Sequence, residues 1–138
     1  MCGLVGMAGD LQKEDRDMFQ QLLVVDAIRG PHSTGVASVN ASKKMELFKK
    51  ALSPIDFLQH KQYEKVVTWD SQLLIGHNRY ATVGAINNRT AHPFEFDGIL
   101  GAHNGTLVDW RRNMADSDLF DVDSECLIHN LNLRGWDA

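Results

Sequence analysis

The sequence predicts a layered domain that mixes helices with strands, and three observations carry the prediction. Short apolar runs bounded by turn residues recur at 4–8, 34–39, 45–49, 72–80 and 98–103. Around them lie segments whose apolar residues are three or four apart, the period of a helix with one buried face. The chain has 138 residues, 43% hydrophobic and 23% charged, which suits one globular domain able to bury about two thirds of its surface.

Residues 4–8 read as a strand closed by Gly9 and Asp10. Residues 13–28 read as a helix with Met18, Leu22, Val25 and Ile28 on its buried face. Pro31 stops it, because a residue before proline is pushed out of the helical region. The runs 34–39 and 45–49 form a hairpin around the polar stretch 40–44. Ser53 and Pro54 pair a cap with a first-turn proline, opening a short helix that ends near His60 or continues to Val67. Residues 72–80 are an interior strand built on Leu73, Leu74 and Ile75. The stretch 81–94 is a long loop, and long loops in compact domains tend to carry function. A short buried strand, 98–103, ends at Asn104-Gly105, a pair suited to a tight turn. Residues 107–114 read as helical and 116–123 as an acidic loop. Residues 124–133 form a closing helix with Leu127, Ile128 and Leu131 on its apolar side.

Composition narrows the function. A net charge of −4 with scattered basic residues gives no footprint for nucleic acid or a membrane surface. Two cysteines are too few for a disulfide framework, and no apolar run has the length of a leader or a membrane span. The expected setting is a reducing cytoplasm. The six histidines lack zinc-site spacing, and the acidic run lacks the glycine and terminal glutamate of a calcium loop, so no metal is expected. Without a glycine-rich phosphate loop, no site for a sugar phosphate or a nucleotide is expected; nor is a cofactor. Cys126 reads as a core thiol.

The reactive stretch is the N-terminus, Met-Cys-Gly-Leu-Val-Gly. If Met1 is trimmed, Cys2 carries a thiol and a free α-amine on one residue. A thiol ordinarily ionises near pH 8.5 and an α-amine near 7.7–8.0, so the amine can take the thiol's proton without a histidine base.

Further motifs follow in order: Arg29-Gly30-Pro31-His32-Ser33-Thr34-Gly35, Gly76-His77-Asn78-Arg79-Tyr80-Ala81-Thr82-Val83-Gly84, Ala91-His92-Pro93, His103-Asn104-Gly105-Thr106-Leu107 and Asp123-Ser124-Glu125. Together with Cys2-Gly3-Leu4-Val5-Gly6 they resemble the class II glutamine amidotransferases, a family of N-terminal-nucleophile hydrolases. The resemblance covers nearly the whole chain. It implies one glutaminase domain, 1–138, with an α+β fold: an αββα four-layer sandwich, shortened here at its C-terminal end. It further implies hydrolysis of L-glutamine to glutamate and ammonia through a γ-glutamyl thioester on Cys2. Asn104 and Gly105 would then form the oxyanion hole, Arg79 and Asp123 would hold the substrate's carboxylate and ammonium, and Thr82 and His92 would line the pocket. Arg29 would brace the terminus. Ammonia would pass to a synthase or transferase partner or domain. His77 and His103 read as structural hydrogen-bond partners, and Asp123 doubles as a helix cap.

Two departures stand out: His32 occupies the place of the family's aspartate, and the chain ends where the family normally adds strands. They leave room for an amidohydrolase of the same fold acting on another small amide, or for a silent binding module.

Overall fold

The computed structural model describes residues 1–135, so the expected domain, 1–138, extends three residues past the described ones. Four strands form an antiparallel sheet: β1 (Gly3–Ala8), β2 (Ser33–Asn40), β3 (Met45–Lys50) and β4 (Ser71–Arg79), in the order β1-β4-β2-β3. Gly3 pairs with Asn78, and Ser33 pairs with Arg79, so the start of β1, the start of β2 and the end of β4 share one rim. That rim carries the candidate site.

Helix α1 (Lys13–Val25) crosses one face of the sheet and runs on into a 3-10 turn, Asp26–Arg29. The period predicted the helix, but its rotation differs from expectation. Met18, Leu22, Val25 and Ile28 are exposed, while Phe19 and Leu23 are fully buried. The reason lies in β4, where Gly76 leaves a hollow. A Cβ there would sit 2.8 Å from Leu23 Cδ1 and 2.9 Å from Phe19 Cζ, so these two side chains fill the space and set the helix phase. Asn78 locks the arrangement by donating from Nδ2 to the Leu23 carbonyl at 2.7 Å.

Helices α2 (Pro54–Leu58) and α3 (Tyr63–Val66) are separate rather than continuous. Ser53 caps the first, its hydroxyl accepting the Asp56 N–H at 3.4 Å. With α1 they close a core of Val5, Leu11, Phe19, Leu23, Val36, Phe48, Phe57, Tyr63, Val66 and Leu74.

The other face is partly covered by a two-stranded ribbon, β5 (Phe94–Phe96) and β6 (Ile99–Gly101). Asp97 and Gly98 turn between them with φ of 44° and 88°, the left-handed pair that a two-residue hairpin requires. Helix α4 (Trp110–Asn113) is shorter than expected, and α5 (Asp123–Arg134) backs the ribbon. Phe94, Val122 and Ile128 form a second small core there, with Phe96, Ile99 and Leu131 against it. The ribbon is joined to the sheet by His92, stacked on His77 with ring centroids 4.1 Å apart, and by Lys49, whose Nζ lies 4.0 Å from the Phe94 ring centre. The fold is α+β with antiparallel sheets. Among the described residues no helix is long and apolar enough to cross a membrane.

Candidate active site

Cys2 lies at the mouth of β1, buried, with its thiol against the end of β4. Tyr80 N–H donates to Sγ at 3.3 Å, and the S–H points at the Tyr80 carbonyl at 3.6 Å. Both backbone polar groups of Cys2 are held by one side chain: its N–H donates to Asn104 Oδ1 at 3.2 Å, and its carbonyl accepts from Asn104 Nδ2 at 2.9 Å. Arg29, at the end of the 3-10 turn, donates from Nε to the same carbonyl at 3.0 Å. Met1, by contrast, is exposed.

Asn104 and Gly105 follow β6 as a bend and not as a hairpin turn. An added Cβ at 105 would lie 2.6 Å from His103 Nε2, so any side chain there would displace that ring. The bend is fixed from both sides. His77 Nε2–H donates to the His103 carbonyl at 3.2 Å, and His103 Nδ1 meets the Ser124 hydroxyl at 3.0 Å. Burial lowers the His77 pKa to about 4, so the ring is neutral at neutral pH. Burial, with His77 close by, pushes His92 lower still. Both ring nitrogens of His92 lack a hydrogen-bond partner among the described residues.

Arg79 is buried, and its guanidinium grips the loop that follows it. Nη1 donates to the Ala85 carbonyl at 2.9 Å and to Thr90 Oγ1 at 3.1 Å, and Nη2 donates to the Val83 carbonyl. Of its five N–H groups, Nε–H and one on Nη2 have no partner among the described residues. Burial lowers its pKa, with Cys2 and Asp123 pulling the other way. Asp123 is buried at the first position of α5, where a carboxylate suits the helix dipole. Its Oδ1 accepts Ser124 N–H at 2.9 Å, and Oδ2 accepts Leu107 N–H at 2.7 Å. Thr82 is exposed, its hydroxyl 3.1 Å from that of Thr106.

These groups surround two spaces on either side of the thiol. The outer cleft, about 310 Å³, is lined by Met1, Cys2, Tyr80, Thr82, Asn104, Gly105 and Thr106, and its volume is that of a small ligand site. The inner chamber, about 10 Å³, has Cys2, Arg79, His92, His103, Gly105 and Asp123 in its wall and takes no more than one water. Every residue expected from the sequence to serve substrate chemistry therefore borders one space or both. Arg29 stands beside them on the Cys2 carbonyl. A larger groove of about 640 Å³, between Asp10 and Trp69 at the far end of the sheet, contains neither cysteine. Two contributors went unread in the sequence. The Tyr80 backbone has no side-chain signal, and His32, whose Nδ1 accepts the Ala81 N–H at 3.0 Å, was visible only as a departure.

No protein-family model matches the chain. Curated relatives do match. A glutamine–fructose-6-phosphate aminotransferase (isomerizing) of Mesorhizobium japonicum is 33% identical over 115 residues, covering 80% of this chain and 17% of that protein. One of Sulfolobus acidocaldarius is 29% identical over 154 aligned positions, covering 100% of this chain and 25% of that protein. An amidophosphoribosyltransferase of Escherichia coli is 30% identical over 112 residues, covering 79% of this chain and 21% of that protein. The chain thus spans a quarter or less of these relatives' lengths.

Proposed function

The chain is a homologue of the class II glutamine amidotransferases, and from that premise we propose that it is a glutaminase domain, 1–138, with Cys2 as its nucleophile. The observation that carries the proposal is the double grip of Asn104 on the Cys2 backbone. Once Met1 is removed, that grip leaves the α-amine within hydrogen-bond reach of Asn104 Oδ1, and Nδ2 keeps a second N–H for an oxyanion.

The reaction then runs as follows. The Cys2 amine takes the thiol proton, and the thiolate attacks the side-chain amide carbon of L-glutamine. Negative charge gathers on the amide oxygen, where Asn104 Nδ2–H and Gly105 N–H stabilise it. One such donor typically contributes about 2.7–4 kcal/mol of barrier lowering. The α-ammonium returns its proton to the leaving nitrogen, ammonia departs, and a γ-glutamyl thioester remains. Water attacks the thioester carbonyl, the thiol is regenerated and glutamate leaves.

Arg79 and Asp123 offer the charges that would recognise the substrate's carboxylate and ammonium, with Thr82 and His92 shaping the space and Arg29 bracing the terminus. Because the inner chamber is so small, the loop after Arg79 has to shift for a glutamine to reach both charges. Ammonia would pass to an acceptor site on a partner or further domain, in the cytoplasm. The αββα four-layer sandwich is the architecture this reading implies.

The closed inner chamber also supports a second reading, a catalytically silent module. One experiment separates the two. Intact mass is measured on the Met1-free chain before and after 6-diazo-5-oxo-norleucine, with Cys2→Ala as control. A single adduct that depends on Cys2 and is blocked by glutamine supports the glutaminase. A trimmed chain that gains no adduct leaves the silent module.

A further inference from the structure

The peptide joining Tyr80 to Ala81 is held from opposite sides by two side chains. Its carbonyl faces Cys2 Sγ at 3.6 Å, and its N–H donates to His32 Nδ1 at 3.0 Å. A trans peptide is planar, with its C=O and N–H pointing in opposite directions. A ring that pulls the N–H one way therefore aims the carbonyl the other way, at the thiol. His32 is itself well anchored for this task. Its own N–H donates to the Arg79 carbonyl at 3.1 Å, and its ring lies 4.9 Å from the Tyr80 ring at a tilt of 34°.

We propose that His32 is a positioning residue for the nucleophile: by accepting the Ala81 N–H it fixes the peptide whose carbonyl orients the Cys2 S–H. Among the described residues the sulfur is otherwise held only by the Tyr80 N–H, at the strand end. Loss of the His32 bond frees the 80–81 peptide to turn, and the thiol then samples more than one rotamer. An asparagine can take over the role, since its Oδ1 reaches the place of Nδ1. A phenylalanine keeps a ring beside Tyr80 and removes the acceptor.

The kinetic part of this proposal rests on the glutaminase reading, so the test has a readout that does not. His32→Asn and His32→Phe are prepared as the full chain, with His32→Ala in reserve if the phenylalanine variant does not fold. The infrared S–H stretch of Cys2, isolated by subtracting the spectrum of Cys2→Ala, reports the bond to Tyr80. The band should move to higher wavenumber in His32→Phe and stay in place in His32→Asn. In glutamine hydrolysis by the trimmed chain, His32→Phe should lower kcat about tenfold with KM within about twofold, and His32→Asn should restore kcat to within about threefold, the range of one modest hydrogen bond. A band unmoved by phenylalanine, or moved equally by asparagine, overturns the assignment. If the wild type hydrolyses no glutamine, the catalytic reading fails, and the infrared band still decides the role of His32.

Discussion

Asn104 holds the Cys2 N–H with its oxygen and the Cys2 carbonyl with its nitrogen, so in the proposed mechanism one amide group would position both the base and the oxyanion donor. Alanine at this position removes both. We expect Asn104→Ala in the trimmed chain to lower kcat by about 10²–10³-fold, the usual loss for one oxyanion donor. Asn104→Asp should fall as far although its carboxylate still accepts the Cys2 N–H, because it cannot donate. Steady-state glutamine hydrolysis decides the point, and an alanine variant within threefold of wild type would sink the assignment. Much at this scale was legible beforehand, because the residues that border the site stand in ordered motifs. What the motifs could not tell was where donors point. Arg79 turns three of its N–H groups onto Val83, Ala85 and Thr90, a direction set by how the loop folds back and not by the residues flanking it.

The elements repeat that pattern. Alternation and period located β1, α1, the β2–β3 hairpin and β4, yet the rotation of α1 was missed by one residue. Positions 18 and 22 have the same spacing as 19 and 23, so only the hollow at Gly76 distinguishes them. The strand at 98–103 is present as β6, but its partner β5 was not expected, for another reason. The Asp97-Gly98 turn is a strong hairpin signal, but Phe94 was read as the end of the long loop. The rotation of α1 has a consequence for association. It leaves Met18, Leu22, Val25 and Ile28 exposed, Leu22 and Val25 beside residues 4–6 of β1, and β1 is an open edge of six residues without a charge. The opposite edge, β3, carries Glu46, Lys49 and Lys50, as protected edges do. The isolated chain should therefore self-associate through the β1 side as its concentration rises. Sedimentation velocity on Leu22→Glu with Val25→Lys should show a monomer that melts within about 2 °C of wild type, since exposed substitutions rarely move stability much. A wild type that stays monomeric at high concentration would refute this.

At the scale of the whole molecule, the four-stranded sheet and the ribbon meet at the His77–His92 stack, and that joint makes the fold sensitive to acid. Burial lowers the folded pKa of His77 to about 4, from an ordinary value of 6.5. Between these two values the unfolded chain binds a proton that the folded chain refuses, so stability falls as pH drops from 6.5 toward 4. His92 lies lower still, and its contribution continues to drain away below pH 4. Glu125 acts the other way. Burial raises its pKa, so it favours the folded state on the acid side of its own transition and offsets part of the loss. Lys49, lowered to about 8 by burial, gains stability only as pH rises from 8 toward 10.5 and has no part in the acid range. From pH 7.5 to 5, His77 alone should cost about 2 kcal/mol, a sizeable share of the 5–15 kcal/mol that usually holds a domain together. The melting temperature should fall by several degrees over that interval, and His77→Gln, which keeps a donor for the His103 carbonyl, should flatten the dependence. A wild-type melting temperature that does not change between pH 7.5 and 5 would mean that the two rings are not buried together between the layers.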